Sequence, residues 1–220
     1  AAFHGYNYLL AKENLTDHLS VNKRKNKIRQ RLWKIRAKKV VIATGAIERP
    51  LIFNNNDRPG ILLSSSIKKY IDYYGVKCGT KISIFTSNDS AYETVLSLYK
   101  NGVKVNSIID IRDKSESLIV KKVQDIGIKI YWKHTVVNTK GYKRINSIEL
   151  MKLNEKGTGV IGDKINESCD CLGISGGWTP MVHLFTQSGG KLEFNRIDNM
   201  FIPNENKSPS EQISVGSCNG

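Results

Sequence analysis

A regular alternation of apolar and amphipathic runs in the middle of the chain constrains its fold more than any other feature. Short apolar runs at 81–85, 103–110 and 128–132 alternate with amphipathic runs at 89–100 and 114–126. A β-α-β-α-β series of this kind predicts a parallel sheet with right-handed crossovers. The sequence therefore predicts an α/β fold built on this sheet.

The first strand-turn-helix of the series has the rhythm of a dinucleotide-binding unit but lacks its glycines. In G-x-G-x-x-G the glycines allow a tight turn, close approach of the pyrophosphate and packing of helix on strand. Here those positions hold Thr86, Asn88 and Ala91, of which only Ala91 is an accepted variant. Asp89 would also place a carboxylate beside the phosphates. Either the unit has lost its nucleotide, or Asn88 and Asp89 bind something else.

Three further apolar runs end in glycine, at 40–46, 171–180 and 213–220. We interpret each as a strand, and the first two as buried strands. In open α/β sheets ligands bind beyond the carboxyl ends of the strands, and a glycine there permits close approach. The alternating segment at 134–157 predicts an antiparallel meander laid against the sheet, and the segment 181–212 is predicted to be mostly loop.

The net charge of +14 is compatible with nucleic-acid binding, because cations gain affinity for phosphate backbones by counterion release. Outside the run at 22–39, however, the lysines are scattered, and we find no motif of a nucleic-acid-binding fold. No run approaches the roughly 20 apolar residues that span a bilayer. We therefore predict no nucleic-acid or membrane partner and a cytoplasmic location.

The cysteines and histidines form no recognisable site in the sequence. The four cysteines include no C-x-x-C pair, so we interpret them as free thiols in a reducing compartment. None of the four histidines has a carboxylate or a nucleophilic residue at a spacing that would indicate a catalytic pair. We predict neither catalytic residues nor metal ligands in this sequence.

The order of the glycine-terminated strands carries a resemblance to a known family. "ATGAIERP", then the βαβ unit, then "SGGWTP", then "VGS" resembles the two-dinucleotide-domain flavoproteins of the glutathione and thioredoxin reductase family. More narrowly, "RLWKIRAKKVVIATGAIERPLIFNNNDRPGILLSS", "FTSNDSAYET" and "SGGWTPMVHLFTQSGGKL" resemble the alpha subunit of heterotetrameric sarcosine oxidase.

The resemblance implies a two-dinucleotide-binding-domain fold. A parallel βαβ sheet would be inserted into an incomplete first nucleotide-binding domain, with antiparallel meanders. Residues 1–50 would be the C-terminal part of the first, NAD-binding domain, residues 51–195 a degenerate second domain, and residues 196–220 the returning strand of the first. Both ends of the sequence are expected to be internal to a longer polypeptide, with the main phosphate turn upstream.

The resemblance also implies an oxidoreductase complex with beta, gamma and delta subunits. The complex would demethylate sarcosine oxidatively, producing glycine and hydrogen peroxide, with tetrahydrofolate bound in a downstream domain. This subunit would hold NAD, whereas FAD and FMN would lie elsewhere in the complex. With NAD in the first domain, the second is free to lose its ligand, which explains the missing glycines.

Carried over by position, the residues implied to bind the cofactor are Phe3, Thr44, Gly45, Gly216 and Ser217. Thr44 and Gly45 lie where this fold closes the first nucleotide site. Gly216 and Ser217 lie where the returning strand meets the pyrophosphate or ribose, although reductases carry Gly-Asp there. Phe3 lies where a backbone group meets the adenine. Two alternatives remain open: a subunit of an opine or amine dehydrogenase complex, and an assembly scaffold that binds no nucleotide.

Overall fold

The computed structural model describes residues 1–209 and 211–220 and divides them into two compact units. Unit 1 comprises residues 1–47 and 178–220, and unit 2 comprises residues 48–177. The strands are β1 (Ala2–His4), β2 (Tyr8–Asn14), β3 (Gln30–Arg36), β4 (Val40–Ile42), β5 (Ala46–Glu48), β6 (Ile61–Leu63), β7 (Ile82–Thr86), β8 (Val105–Asp110), β9 (Ile130–Trp132), β10 (His134–Lys140), β11 (Ser147–Leu153), β12 (Val160–Ser168), β13 (Cys171–Ser175), β14 (Trp178–Pro180), β15 (Lys191–Asn195), β16 (Met200–Asn204) and β17 (Gln212–Ser214). The helices are α1 (Val21–Arg24), α2 (Ser64–Tyr74), α3 (Ser90–Lys100), α4 (Leu118–Asp125) and α5 (His183–Gln187), with 3-10 turns at Glu205–Lys207 and Gly216–Cys218.

Unit 2 is built on a five-stranded parallel sheet in the order β6-β13-β7-β8-β9. This confirms the parallel βαβ sheet predicted from the apolar periodicity. All five residues of β7 are buried, as expected for a central strand covered on both faces. Its alternate side chains enter different cores: Ile82 and Ile84 pack with helices α2, α3 and α4, and Phe85 packs on the opposite face.

The opposite face of the sheet is covered by an antiparallel sheet in the order β10-β11-β12. Its buried side chains Val136, Ile148 and Leu150 pack against Phe85 and Leu172 of the parallel sheet. The predicted meander is therefore confirmed. It gives unit 2 three layers, in which helices and the meander lie on opposite faces of one sheet.

Helix α2 ends at Gly75, which adopts the left-handed φ of +63° that favours glycine and whose N–H donates to Tyr70 O. The residue at its N-cap is Leu63, whose side chain makes no capping hydrogen bond. Instead, the buried carboxylate of Glu48 accepts a hydrogen bond from the Ser65 N–H at 2.8 Å. A carboxylate at this position also stabilises the positive end of the helix.

Unit 1 contains the antiparallel sheet β1-β2-β3, the parallel pair β4–β17 and the pairs β5–β14 and β15–β16. Its core consists of Phe3, Ile42, Phe185 and Cys218. The segment 181–212, which the sequence predicts to be mostly loop, contains α5 and the β15–β16 hairpin. That prediction was wrong because each strand of the hairpin has only five residues: β15 alternates too briefly to stand out in the sequence, and β16 is an apolar run without alternation that contains Pro203.

The boundaries of the two units differ from those drawn on the sequence. Residues 178–195, assigned there to the second domain, lie in unit 1 because Phe185 of α5 packs against Phe3 and Ile42. Residues 48–50 lie in unit 2, where Glu48 binds the first turn of α2. Among the described residues, no helix combines the length and apolar character needed to cross a membrane.

Candidate functional site

The carboxyl ends of β4 and β17 bring four of the five predicted cofactor-binding residues to one place in unit 1. The two strands pair in parallel, and Val215 N–H extends the pairing by donating to Ile42 O at 2.9 Å. The chain turns immediately after each strand, at Thr44 and Gly45 and at Gly216 and Ser217. A Cβ placed on Gly45 would lie 3.8 Å from Ser217 Oγ.

The two glycines have the backbone conformation that such turns require. Gly45 has φ +73° and Gly216 has φ +71°, values that L side chains rarely adopt. A Cβ on Gly216 would meet no atom within 4 Å, so the space beside this turn is open. Thr44 and Ser217 are exposed. The arrangement can admit a ligand close to backbone at the ends of two parallel strands.

Two hydrogen bonds with the backbone of Met181 stabilise the first of these turns, at Thr44 and Gly45. The Thr44 hydroxyl donates to Met181 O at 2.6 Å, and Met181 N–H donates to Gly45 O at 2.9 Å. The buried Cys218 thiol stabilises the second turn, at Gly216 and Ser217, because it donates a hydrogen bond to Ile42 O at 3.1 Å. Cys218 therefore has a structural contact that the sequence did not indicate.

Phe3 lies in the core beneath the two turns and not at the surface. Its side chain is buried with Ile42 and Cys218, and its N–H donates to Gln187 Oε1 at 3.2 Å. The ring therefore supports β4. A cofactor could use the Phe3 N–H only if Gln187 released it.

In unit 2, the turn between β7 and α3 is filled by its own side chains. Thr86 Oγ1 accepts the Asn88 N–H at 3.0 Å, and the Asn88 amide donates to Ser175 Oγ at 3.0 Å. Asn88 Oδ1 accepts the N–H of Ser90, in the first turn of α3, at 3.1 Å. In a dinucleotide-binding turn, free N–H groups at the helix start bind phosphate. Here the Asn88 side chain occupies the place beside the helix start that a phosphate would take.

The adjacent charges are also neutralised within unit 2. Arg112 forms ion pairs with Asp89 and with the fully buried Asp110, each at 2.7 Å. Tyr92 also donates to Asp110 at 2.9 Å, and Ser115 donates to Asp89 at 3.1 Å. We call Asp89, Tyr92, Asp110 and Arg112 the acid–arginine cluster.

The cluster lowers the pKa of the Asp89 carboxyl and raises the pKa of the Tyr92 phenol. Burial acts to raise the pKa of the Asp89 carboxyl, but the Ser117 hydroxyl, Arg112 and Ser115 together outweigh it, so the pKa lies below its usual value. Burial and the Asp110 carboxylate raise the pKa of Tyr92 well above its usual value. An opposite charge nearby lowers the pKa of a carboxyl, whereas burial and a nearby carboxylate raise the pKa of a phenol.

Asp110 and Arg112 are residues that the sequence analysis missed. Dinucleotide folds carry an acidic residue about 20 positions after the phosphate turn, where it binds the ribose hydroxyl. Asp110 occupies that position at the end of β8, but Arg112 and Tyr92 already bind it. Its spacing from Ala91 was the available signal.

One literal match to the glycine motif is not a phosphate turn. The sequence "GTGVIG" at 157–162 matches G-x-G-x-x-G, but it begins in the turn between the antiparallel strands β11 and β12 and ends in the first residues of β12. No helix follows it, so it offers no helix N-terminus to a phosphate. Across residues 1–209 and 211–220, no group of His, Cys, Asp and Glu is arranged to hold a metal ion.

Comparison with known proteins supports the family suggested by the sequence. No protein-family model matches the chain. It is 37% identical over 199 residues to the sarcosine oxidase alpha subunit of Corynebacterium sp. (strain U-96), covering 90% of this chain and 20% of the relative. It is 36% identical over 162 residues to that of Rhizobium meliloti (strain 1021), covering 74% of this chain and 15% of the relative. The chain thus spans about one fifth of the length of these relatives.

Solved structures show the same fold at lower identity. Thioredoxin reductase from T. acidophilum superposes with a TM-score of 0.64 at 17% identity, covering 85% of this chain and 59% of that one. L-Proline dehydrogenase from P. horikoshii gives a TM-score of 0.58 at 23% identity, covering 85% and 31%. These matches confirm the two-dinucleotide-domain flavoprotein fold.

Proposed function

Because this chain is a homologue of sarcosine oxidase alpha subunits over nine-tenths of its length, we infer that it is a segment of the alpha subunit of a sarcosine oxidase complex. The complex oxidises the CH–NH bond of sarcosine with molecular oxygen, which is reduced to hydrogen peroxide, transfers the one-carbon unit to tetrahydrofolate, and releases glycine. Beta, gamma and delta subunits and further domains complete it, and FAD and FMN belong to those other parts. The 37% identity is the observation that carries this proposal.

In this proposal unit 1 contributes part of an NAD site. The residues present fit a dinucleotide, since two glycines with positive φ leave open backbone at the carboxyl ends of β4 and β17. Gly45 and Gly216 would admit the ligand, Ser217 would offer a hydroxyl to the pyrophosphate or ribose, and Thr44 would position the turn through Met181. A bound NAD supplies a ring that can accept a hydride.

Unit 2 acts as a scaffold that binds no second nucleotide. Asn88 fills the phosphate position at α3, and the acid–arginine cluster occupies the ribose position. Four free cysteines are compatible with a reducing compartment, which supports placing the complex in the cytoplasm.

The NAD site is tested by placing a side chain at Gly45. We expect Gly45→Asn in the full-length subunit to reduce NAD content at least about tenfold, because asparagine tolerates positive φ but fills the space that the ligand needs. Gly75→Asn is the matched control, since Gly75 has φ +63° and nothing near its Cβ position, and it lies in unit 2. Equal NAD content in the two variants would contradict the placement.

The activity is tested by adding sarcosine to the purified complex. Peroxide and glycine formed in equal amounts would support the oxidase. Oxidation of an amine or imino acid only with an artificial electron acceptor, without peroxide, would favour an opine or amine dehydrogenase. No turnover and no bound NAD would favour an assembly scaffold.

A further inference from the structure

Strand β3 of unit 1 combines cations with exposed apolar side chains. Residues 23–39 hold ten lysines and arginines and no aspartate or glutamate. All seven residues of β3 are exposed, and the exposed fractions of Leu32, Trp33 and Ile35 are 60%, 47% and 43%. Cations on an edge strand discourage self-association. That purpose does not require three large apolar side chains, which more often mark an interaction surface.

The hydrogen bonds at the two ends of the β2–β3 ladder show which residues of β3 face β2. Ala37 N–H donates to Asn7 O at 3.2 Å, and Leu15 N–H donates to Arg29 O at 2.9 Å. Hydrogen-bonded residues alternate along an antiparallel ladder. The odd-numbered residues from 29 to 37 therefore bond to β2.

The even-numbered residues of β3 direct their backbone groups away from β2. These include Leu32, Lys34 and Arg36, and in the described part of the chain β3 pairs with no second strand. An edge strand with free N–H and C=O groups is a template for another extended segment.

The side chains of this edge alternate between two faces, and Leu32 shares the face of Lys34 and Arg36. Lys34 and Arg36 lie on one face, and among residues 1–209 and 211–220 no ion pair is found for either. Trp33 and Ile35 lie on the other face, which is the face of Leu9. Arg31 shares that face and lies over the Trp33 ring, and the Trp33 indole N–H donates to Glu13 at 2.8 Å. Leu9 packs against the core of unit 1, so Trp33 and Ile35 extend an apolar surface beyond it.

We propose that β3 is a docking edge for an acidic, extended segment of another protein, which joins the β1-β2-β3 sheet as a fourth strand. Acidic side chains of the segment lie opposite Lys34 and Arg36, and its alternate apolar side chains lie beside Trp33 and Ile35. A second copy of this chain fits less well, because pairing β3 with itself would place cations near cations. Nucleic acid would contact the cations but would leave the backbone edge and the apolar face unused. The proposal is independent of the proposed function.

The test uses a fluorescent peptide of the same length as β3 in which glutamate alternates with valine. Fluorescence anisotropy with the full-length subunit measures the affinity of the peptide at low and at physiological salt. A peptide of the same composition with the alternation scrambled is one control. The alternating peptide with N-methyl groups on one backbone edge is another, since it cannot pair as a strand and leaves the protein unchanged. Two protein variants complete the set, Lys34→Glu with Arg36→Glu for charge, and Lys34→Pro against Lys34→Gln for the outward N–H.

We expect the alternating peptide to bind, with an affinity that falls as salt rises. The double glutamate variant should bind about tenfold more weakly, because two favourable cross-strand pairs become repulsive. The N-methylated and scrambled peptides should also bind less well. The proposal is overturned if the alternating peptide does not bind, or if the scrambled peptide or an RNA oligonucleotide binds equally well. It is also overturned if the subunit without peptide dimerises in analytical sedimentation and Lys34→Pro abolishes the dimer.

Discussion

Replacing Arg112 by methionine should destabilise unit 2 far more than removing a surface ion pair does. The guanidinium reaches Asp89 with one nitrogen and Asp110 with two, at 2.7 to 3.0 Å. Asp110 is fully buried, and without Arg112 it would keep only the Tyr92 hydroxyl and the backbone N–H of residue 112. The change therefore leaves a buried carboxylate without its counter-charge.

The magnitude follows from the exposure of the two partners. Breaking a fully buried pair typically costs about 3–5 kcal/mol. The Arg112 side chain is 29% exposed, and Asp110 retains two hydrogen bonds, so we expect about 2–3 kcal/mol. Arg31→Met is the matched control, because the Arg31–Glu13 pair spans 3.3 Å with both side chains more than 40% exposed. It should cost less than about 1 kcal/mol.

Urea unfolding of both variants, followed by circular dichroism, measures the difference. Asp110→Asn added to Arg112→Met should cost less than the sum of the two single changes, because the amide removes the uncompensated charge. If Arg112→Met costs no more than Arg31→Met, the acid–arginine cluster does not stabilise unit 2 and the reasoning fails.

Two further predictions follow from other residues of unit 2. The Lys140 ammonium and the Asn138 amide lower the pKa of the Glu149 carboxyl from 4.5 to about 2. The ionised carboxylate therefore stabilises the fold above pH about 4.5, and this stabilisation is lost as the pH falls towards 2. Glu149→Gln should flatten the acid limb of a curve of stability against pH in that window, and an unchanged curve would contradict this. Asp89→Ala should leave the NAD stoichiometry of the full-length subunit unchanged, since unit 2 binds no nucleotide in our proposal; loss of a second nucleotide on mass spectrometry of the native subunit would show that it does.

Local sequence was sufficient for the regular parts of the fold. The strands β7, β8 and β9 and the helices between them were predicted to within a few residues, because each must bury an apolar face and therefore carries its period in its own residues. The β15–β16 hairpin was not predicted, because each of its strands is only five residues long, too short for the alternation in β15 to be distinctive, and β16 does not alternate.

The sites depended on contacts between residues far apart in the chain. The sequence by itself determined that Thr44, Gly45, Gly216 and Ser217 follow strands and that the phosphate turn at residues 86–91 had lost its glycines. Only the tertiary structure decided that β4 and β17 are neighbours, which brings Gly45 and Ser217 together. It also decided that Arg112 reaches both Asp89 and Asp110. The physical reason is that periodicity reports which side of an element is buried, whereas the partner of each strand end is set by how all the elements pack.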